Sequence, residues 1–495
     1  MAGKMEVYRG DKLLGSPRVA ALPERILREI RVVSQVLPFK LNDYVLDELI
    51  DWSRVPDDPI FRLTFPHRDM LDPRDFDRMA GLVDRGASKE DLRREVDRIR
   101  LKLNPHPGGQ LQKNVPRFHG EPLHGFQHKY KETVLFFPAQ GQTCHAYCAY
   151  CFRWAQFIGM KDLKQASRSA DLLVRYLRSH RMVSDLLVTG GDPFIMSTRN
   201  LAAYIDPILE DDGLEHVRSI RLGTKALAFW PYRFLTDPDA DDLLRLMERC
   251  VEAGRHVAVM AHFSHGRELE TRPVEQAIRR ILDTGAVIRT QAPLVRHVND
   301  DPVVWSDMWR KQVSLGCVPY YMFVERDTGA RHYFEVPLDR AFEIYREACT
   351  SVSGLARTAR GPSMSATPGK VTVDGVTSIR GEKVFCLRFL QARNPAWVGV
   401  PFFARFDPRA TWLDQLQPAF GEAEFFFERD PVQDWRQIPA SGRAGVPVRS
   451  LEPGSVVRAG LFDGARNGSA RSRFRMPRVR MPRLAPRQAH FEELQ

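Results

Sequence analysis

The stretch VLFFPAQGQTCHAYCAYCFRW, residues 134–154, decides how the rest of the chain is read. Its first four residues form a short apolar run with the length and composition of a buried strand. Cys144, Cys148 and Cys151 follow within one loop, at positions i, i+4 and i+7. Thiolate is the metal-binding form of cysteine and suits soft metals, so three in one loop point to a metal centre. Three thiolates leave a cubane [4Fe–4S] cluster one ligand short, and the open iron can then take a small molecule. Structural zinc is the alternative. It needs a fourth ligand, yet no C-x2-C or H-x3–5-H partner follows at suitable spacing, and His145 is too close to Cys144 to serve comfortably. Three thiols buried without metal are the remaining alternative.

Downstream of the cysteines, apolar strands alternate with amphipathic helices. ADLLVRYLRSH (170–180) has helical spacing, and DLLVTGG (185–191) reads as a strand. A helical stretch starts at Thr198 and SIRLGTK (219–225) follows as a strand. The pattern continues through DLLRLMERCVEAG, HVAVMAHF, VEQAIRRILDTG, AVIRTQAPLV, VVWSDMWRKQVSLG, PYYMFV and DRAFEIYREACTSV. Repeated strand–helix units imply parallel strands joined by crossovers, as an open doubly wound sheet or a full or partial barrel. In either, polar site residues gather at the C-terminal ends of the strands. Gly190, Gly191 and Asp192 end the second strand, Lys225 the third, His262 the fourth, Gln291 the fifth, and Glu325 to Asp327 the sixth.

The flanks differ. Residues 1–125 read as a helical region, with LPERILREIRVVSQVL (22–37) and KEDLRREVDRIRLKL (89–103) clearly amphipathic around a Pro- and Asp-rich connection. Residues 126–355 carry the strand–helix units. From 356 to 440, runs such as KVFCLRFL and VGVPFFARF suggest a mostly β appendage. Residues 441–495 form a basic tail in which Arg471, Arg473, Arg475, Arg478, Arg480, Arg483 and Arg487 alternate with prolines and few large apolar residues, the composition of a solvated, disordered segment. That tail supplies much of the formal charge of +11, so the charge argues only weakly for a nucleic-acid partner. With 43% apolar residues the 495-residue chain can bury a large core. Cys250, Cys317, Cys349 and Cys386 are scattered, which argues against a disulfide framework and for a reducing compartment. No apolar run is long enough for a signal or a membrane span, and the expected location is the cytoplasm.

The cysteine spacing after the first strand of a partial (β/α)6 barrel resembles the signature of the radical S-adenosylmethionine (SAM) superfamily. The resemblance implies that SAM chelates the open iron and is cleaved reductively to a 5′-deoxyadenosyl radical. GGDP (190–193) looks like the superfamily's motif for the SAM amino group, and His262 and Gln291 stand where they could contact SAM. Several ordered segments narrow the match: GFQHKYKETVLFF, CFRW, TGGDPF, AHFSH, RTQAPLVRHVND, PYYMF and HYFEVP resemble the lysine 2,3-aminomutase family over approximately residues 30–375.

That family also uses pyridoxal 5′-phosphate (PLP), bound covalently by a lysine in a glycine-rich loop after the sixth strand. The corresponding segment, SMSATPGKVTV, makes Lys370 the implied catalytic lysine. Lys129 and Tyr130 match a pair that holds the cofactor phosphate and packs on its ring, and Arg153 matches the arginine that grips the substrate α-carboxylate. Lysine-specific members place two aspartates where this chain has Arg326 and Ser363; glutamate-specific members place a positive and a neutral polar residue there. The resemblance therefore implies an α-amino acid 2,3-aminomutase acting on glutamate or aspartate to give a β-amino acid. Lysine, free or protein-bound, is the first alternative and a nucleic-acid-modifying enzyme the second. The expected partners are the amino acid, an electron donor such as flavodoxin or ferredoxin, and a second copy in a homo-oligomer, with neither nucleic acid nor membrane.

Overall fold

The structure, a computed structural model, describes residues 4–105, 107–158 and 164–429. The basic tail expected from residue 441 lies outside the described residues. Among the described residues no helix is long and apolar enough to cross a membrane.

Both amphipathic segments of the N-terminal region are helices. Helix α1 (Glu24–Val36) buries Ile26, Ile30 and Val33 on one stripe. Helix α2 (Pro73–Asp84) opens with a proline at N1 and Asp72 as its cap, and α3 (Lys89–Lys102) is capped by the Ser88 hydroxyl, which accepts from Asp91 N–H. Within the Pro- and Asp-rich connection, Asp58 caps a short helix, Pro59–Thr64, by accepting from the N–H groups of Ile60 and Phe61.

Eleven strands follow in one sheet whose spatial order is the order of the chain. They are β1 (Phe126–Tyr130), β2 (Thr133–Phe136), β3 (Asp185–Val188), β4 (Ser219–Thr224), β5 (His256–His262), β6 (Val287–Leu294), β7 (Val318–Val324), β8 (Arg360–Ser365), β9 (Gly369–Ile379), β10 (Glu382–Ala392) and β11 (Pro401–Arg405). Strands β2 to β8 are parallel, and β1 and β9–β11 extend them in antiparallel fashion. The crossovers carry α4 (Ala170–Ser179), α5 (Thr198–Leu209), α6 (Ala240–Glu252), α7 (Arg272–Asp283), α8 (Pro302–Ser314) and α9 (Leu338–Thr350). The sheet curls enough for Lys129 Nζ, on β1, to donate to the carbonyl of Ala366, just beyond β8.

The structure differs from the sequence reading at three places. A seventh parallel strand, β8, follows the six expected ones, and Ser363 lies in it. The lysine expected in a loop stands on β9, opposite Ser365 in a tight hairpin. Gln291 does not end its strand either: β6 runs on to Leu294, and the register against β7 shifts between Thr290 and Gln291.

Candidate functional site

The cysteine loop leaves β2 and is fastened from two sides. Tyr147 N–H donates to Lys40 O (2.9 Å), Ala149 N–H donates to Leu63 O (2.8 Å), and Lys40 Nζ donates to Cys144 O, so the N-terminal region holds the loop by its backbone. From the other side, Gly191 N–H and Asp192 N–H both donate to Gly141 O at 3.0 Å. A Cβ on Gly191 would collide with the backbone of Thr143, so the residue must be glycine for the turn after β3 to sit against the segment leading into Cys144. Burial pushes the Cys148 thiol up to about 12 and the Cys151 thiol to about 11, and raises Cys144 with Asp192 and the other two sulfurs nearby. Buried thiols near one another are costly to ionise unless a cation meets them, which is the environment a metal cluster answers. Among the described residues no three His, Cys, Asp or Glu side chains are drawn together as the ligands of one metal ion would be. A cubane binds its thiolates on different irons.

Asp192 is tied into the protein on several sides. Its carboxylate is buried and accepts from Thr224 Oγ1 (2.7 Å), Lys225 N–H (2.9 Å) and Phe194 N–H (2.9 Å), and burial raises its pKa to about 6. The side chain fixes the turn, and the backbone N–H groups of Gly191 and Asp192 are what bond the segment leading into the cysteine loop. His262, the last residue of β5, lies 3.5 Å from the Tyr150 hydroxyl through Nδ1, and desolvation with Lys225 nearby lowers its pKa to about 3, leaving a neutral ring.

The hairpin turn between β8 and β9 gathers cations. Lys129 donates to Ala366 O, and Arg393 Nε donates to Thr367 O at 2.8 Å. Lys129 is desolvated and lies in the field of Arg393, Arg326 and Lys370, so its ammonium is held well below the usual lysine range. Lys370 keeps part of its surface accessible, but its amine lies over the Tyr321 ring (4.0 Å) and near Phe323 (5.3 Å). Desolvation, with Arg221 and Arg360 adding repulsion, lowers its pKa to about 7. The Tyr130 hydroxyl is buried with no hydrogen-bond partner among the described residues. Several desolvated cations, an unpartnered hydroxyl and a half-neutral amine fit a phosphate-bearing aldehyde. Arg393 was not singled out in the sequence; it directly follows an apolar strand, β10, with nothing around it to mark a site. A cavity of about 990 Å³ borders the same turn, lined by Asp327, Thr367, Arg393, Trp397 and Trp412 among others.

Arg153 and Arg326 meet at one aromatic ring. Each guanidinium carbon lies 5.4 Å from the Phe152 centroid, and Arg153 also lies 4.0 Å from that of Phe137. Burial lowers both, Arg153 to about 10. Arg326 Nε is buried without a hydrogen-bond partner, and its nearest carboxylate oxygen, Asp327 Oδ1, is 3.6 Å away. Glu325 is buried too, with its carboxyl pushed well above the usual range by desolvation and Glu335. Ser363 is fully buried, and its hydroxyl donates to Met322 O at 3.4 Å.

No family model matches the chain. Curated relatives do. It is 29% identical to an Aquifex aeolicus protein named "Putative L-lysine 2,3-aminomutase" over 404 residues, 82% of this chain and 94% of that one. It is 26% identical to the L-lysine 2,3-aminomutase of Clostridium subterminale over 53% of this chain and 59% of that protein, and 25% identical to the glutamate 2,3-aminomutase of Clostridioides difficile over 43% and 47%. The match thus spans nearly all of the first relative and about half the length of the other two. Among solved structures, a radical SAM methyltransferase, TsrM, from Kitasatospora setae matches with a TM-score of 0.29 at 14% identity, covering 50% of this chain and 42% of that one, too slight a likeness to bear on fold or function.

Proposed function

We propose that the chain, which is similar to lysine and glutamate 2,3-aminomutases, is a radical SAM isomerase that interconverts an acidic α-amino acid, glutamate or aspartate, with its β-amino isomer. The observation that carries the choice of substrate is the pair of half-buried guanidiniums, Arg153 and Arg326, around Phe152. Two desolvated cations bordering one space favour a ligand with two carboxylates and repel an ammonium. Arg153 takes the α-carboxylate and Arg326 the side-chain carboxylate; Ser363 shapes the wall behind them.

Cys144, Cys148 and Cys151 would hold the [4Fe–4S] cluster, with the backbone of Gly190 and Gly191 beside the SAM it binds. Lys129 and Arg393 would hold the PLP phosphate, Tyr130 would pack on its ring, and Lys370 would capture its aldehyde as a neutral amine. Bound together, the cluster and SAM supply a hydrogen-abstracting radical, and PLP supplies a π-system over which the unpaired electron spreads. The chain's own residues orient the amino acid, exclude water and keep about half of the Lys370 amine unprotonated near neutral pH.

A second reading, a cationic substrate such as lysine, draws on Asp327, whose Oδ1 is buried without a hydrogen-bond partner beside Arg326. The test is turnover. Anaerobically reconstituted, reduced full-length protein is given glutamate, aspartate, lysine and arginine separately, and β-amino products are measured. Product from glutamate or aspartate supports the proposal, and product from lysine alone overturns it.

A further inference from the structure

Lys225 directly follows β4 and is nine-tenths buried. An ammonium taken that far out of water is costly unless the protein offers it a partner. Glu268 does so: it is fully buried, and its Oε1 lies 2.7 Å from Lys225 Nζ. Lys225 Nζ also donates to Ser264 Oγ at 3.1 Å and lies 4.6 Å from the Phe229 ring centroid. The other oxygen of Glu268 accepts from the N–H groups of Ser264 and His265, and Asn299 Nδ2 donates to Ser264 O at 2.9 Å. The pair is therefore locked between β4 and the loop after β5.

The lock reaches the cysteine loop. Ser264 Oγ lies 2.9 Å from the hydroxyl of Tyr150, the residue between Cys148 and Cys151. A chain of close polar contacts runs Glu268–Lys225–Ser264–Tyr150. Along that chain Lys225 Nζ stands between the Glu268 carboxylate and the two hydroxyls that lead to the segment between Cys148 and Cys151, and substrate and PLP recognition as described above use neither residue.

We infer that Lys225, oriented by Glu268, is a positioning residue that raises the electron affinity of a cluster bound through Cys148. The inference rests on the cluster reading above. Reduction adds one electron from an external low-potential donor, and so one negative charge, to the cluster. A fixed ammonium on the Cys148 side favours the reduced form, and burial keeps that interaction from being screened by water or salt. Glu268 contributes by holding the ammonium in place, while its own negative charge offsets part of the effect.

The test is a redox titration of the anaerobically reconstituted full chain, with the reduced cluster followed by electron paramagnetic resonance. Lys225→Met is expected to lower the midpoint and Glu268→Gln to raise it, each changing the ratio of reduced to oxidised cluster at a fixed potential by about threefold or more. Lys225→Arg keeps the charge and is expected to stay near the wild type. Midpoints that do not move in cluster-containing variants, or that move the same way in Lys225→Met and Glu268→Gln, overturn the inference and leave the pair a purely structural tie. If Lys225→Met assembles no cluster, Glu268→Gln decides beside Lys225→Arg: a rise in the first alone supports the inference, and no rise overturns it. A wild-type chain without an iron–sulfur cluster overturns the parent reading, and this one with it.

Discussion

The amine of Lys370 lies 4.0 Å from the centre of the Tyr321 ring, across β8 from the strand that carries it. The ring face and the surrounding burial, with Arg221 and Arg360 nearby, bring the amine down to about 7. Covalent capture of PLP, trapped with borohydride, is therefore expected to rise with pH around a midpoint near 7 instead of near 10.5, and Lys370→Ala abolishes it. A midpoint in the ordinary lysine range would refute the description of this pocket.

The same shift has a consequence for folding. The folded pKa lies below the unfolded one, so between about 7 and 10.5 the unfolded chain binds the extra proton. The stability of the cofactor-free protein is then expected to rise with pH across that window as far as Lys370 is concerned, and its contribution is flat below it. Urea midpoints at about pH 7.5 and about pH 9.5 should differ less in Lys370→Met than in the wild type.

Arg326→Asp reverses the charge at the end of β7. Turnover of glutamate is expected to fall roughly a hundredfold, while lysine gains acceptance. Parallel kcat/KM values for the two amino acids check this. An equal loss for both would mean that Arg326 supports the fold and does not select the substrate.

Gly191→Ala forces a methyl group into the Thr143 backbone. A cost of about 1–3 kcal/mol is expected, together with a fall in iron bound per chain, because the displaced segment leads into Cys144. Iron analysis beside thermal melts separates the two effects.

Asp58→Ala removes the cap of the Pro59–Thr64 helix, whose Leu63 carbonyl receives Ala149 N–H. The expected loss is about 1–2 kcal/mol, with proteolysis in the cysteine loop accelerated relative to the rest of the chain.

The periodicity of the sequence carried the six strands from β2 to β7 and their helices, because buried parallel strands are rich in Val, Ile, Leu and aromatics. It was silent on β8. RGPSMS has the small and turn-forming residues of a loop, yet it must be slender: a Cβ on Gly361 would run into the backbone of Met322. The cysteines and the glycine turn were legible because their spacing is local. Arg393 and the Lys225–Glu268 pair were not, since their meaning comes from partners dozens or hundreds of residues away. Asp192 carries a role that the motif alone does not show: its carboxylate also ties the turn to Thr224 and to two backbone N–H groups.

The fastening of the cysteine loop by Lys40 and Leu63 has a consequence for biogenesis. Contacts between segments about a hundred residues apart form late, after the local units have folded. The loop therefore reaches its finished shape only once the segments around Lys40 and Leu63 have docked onto it. Iron delivered before that moment meets an open, exchangeable trio of thiols, and a fragment starting at Phe126 would have to keep its metal with one wall of the vessel missing.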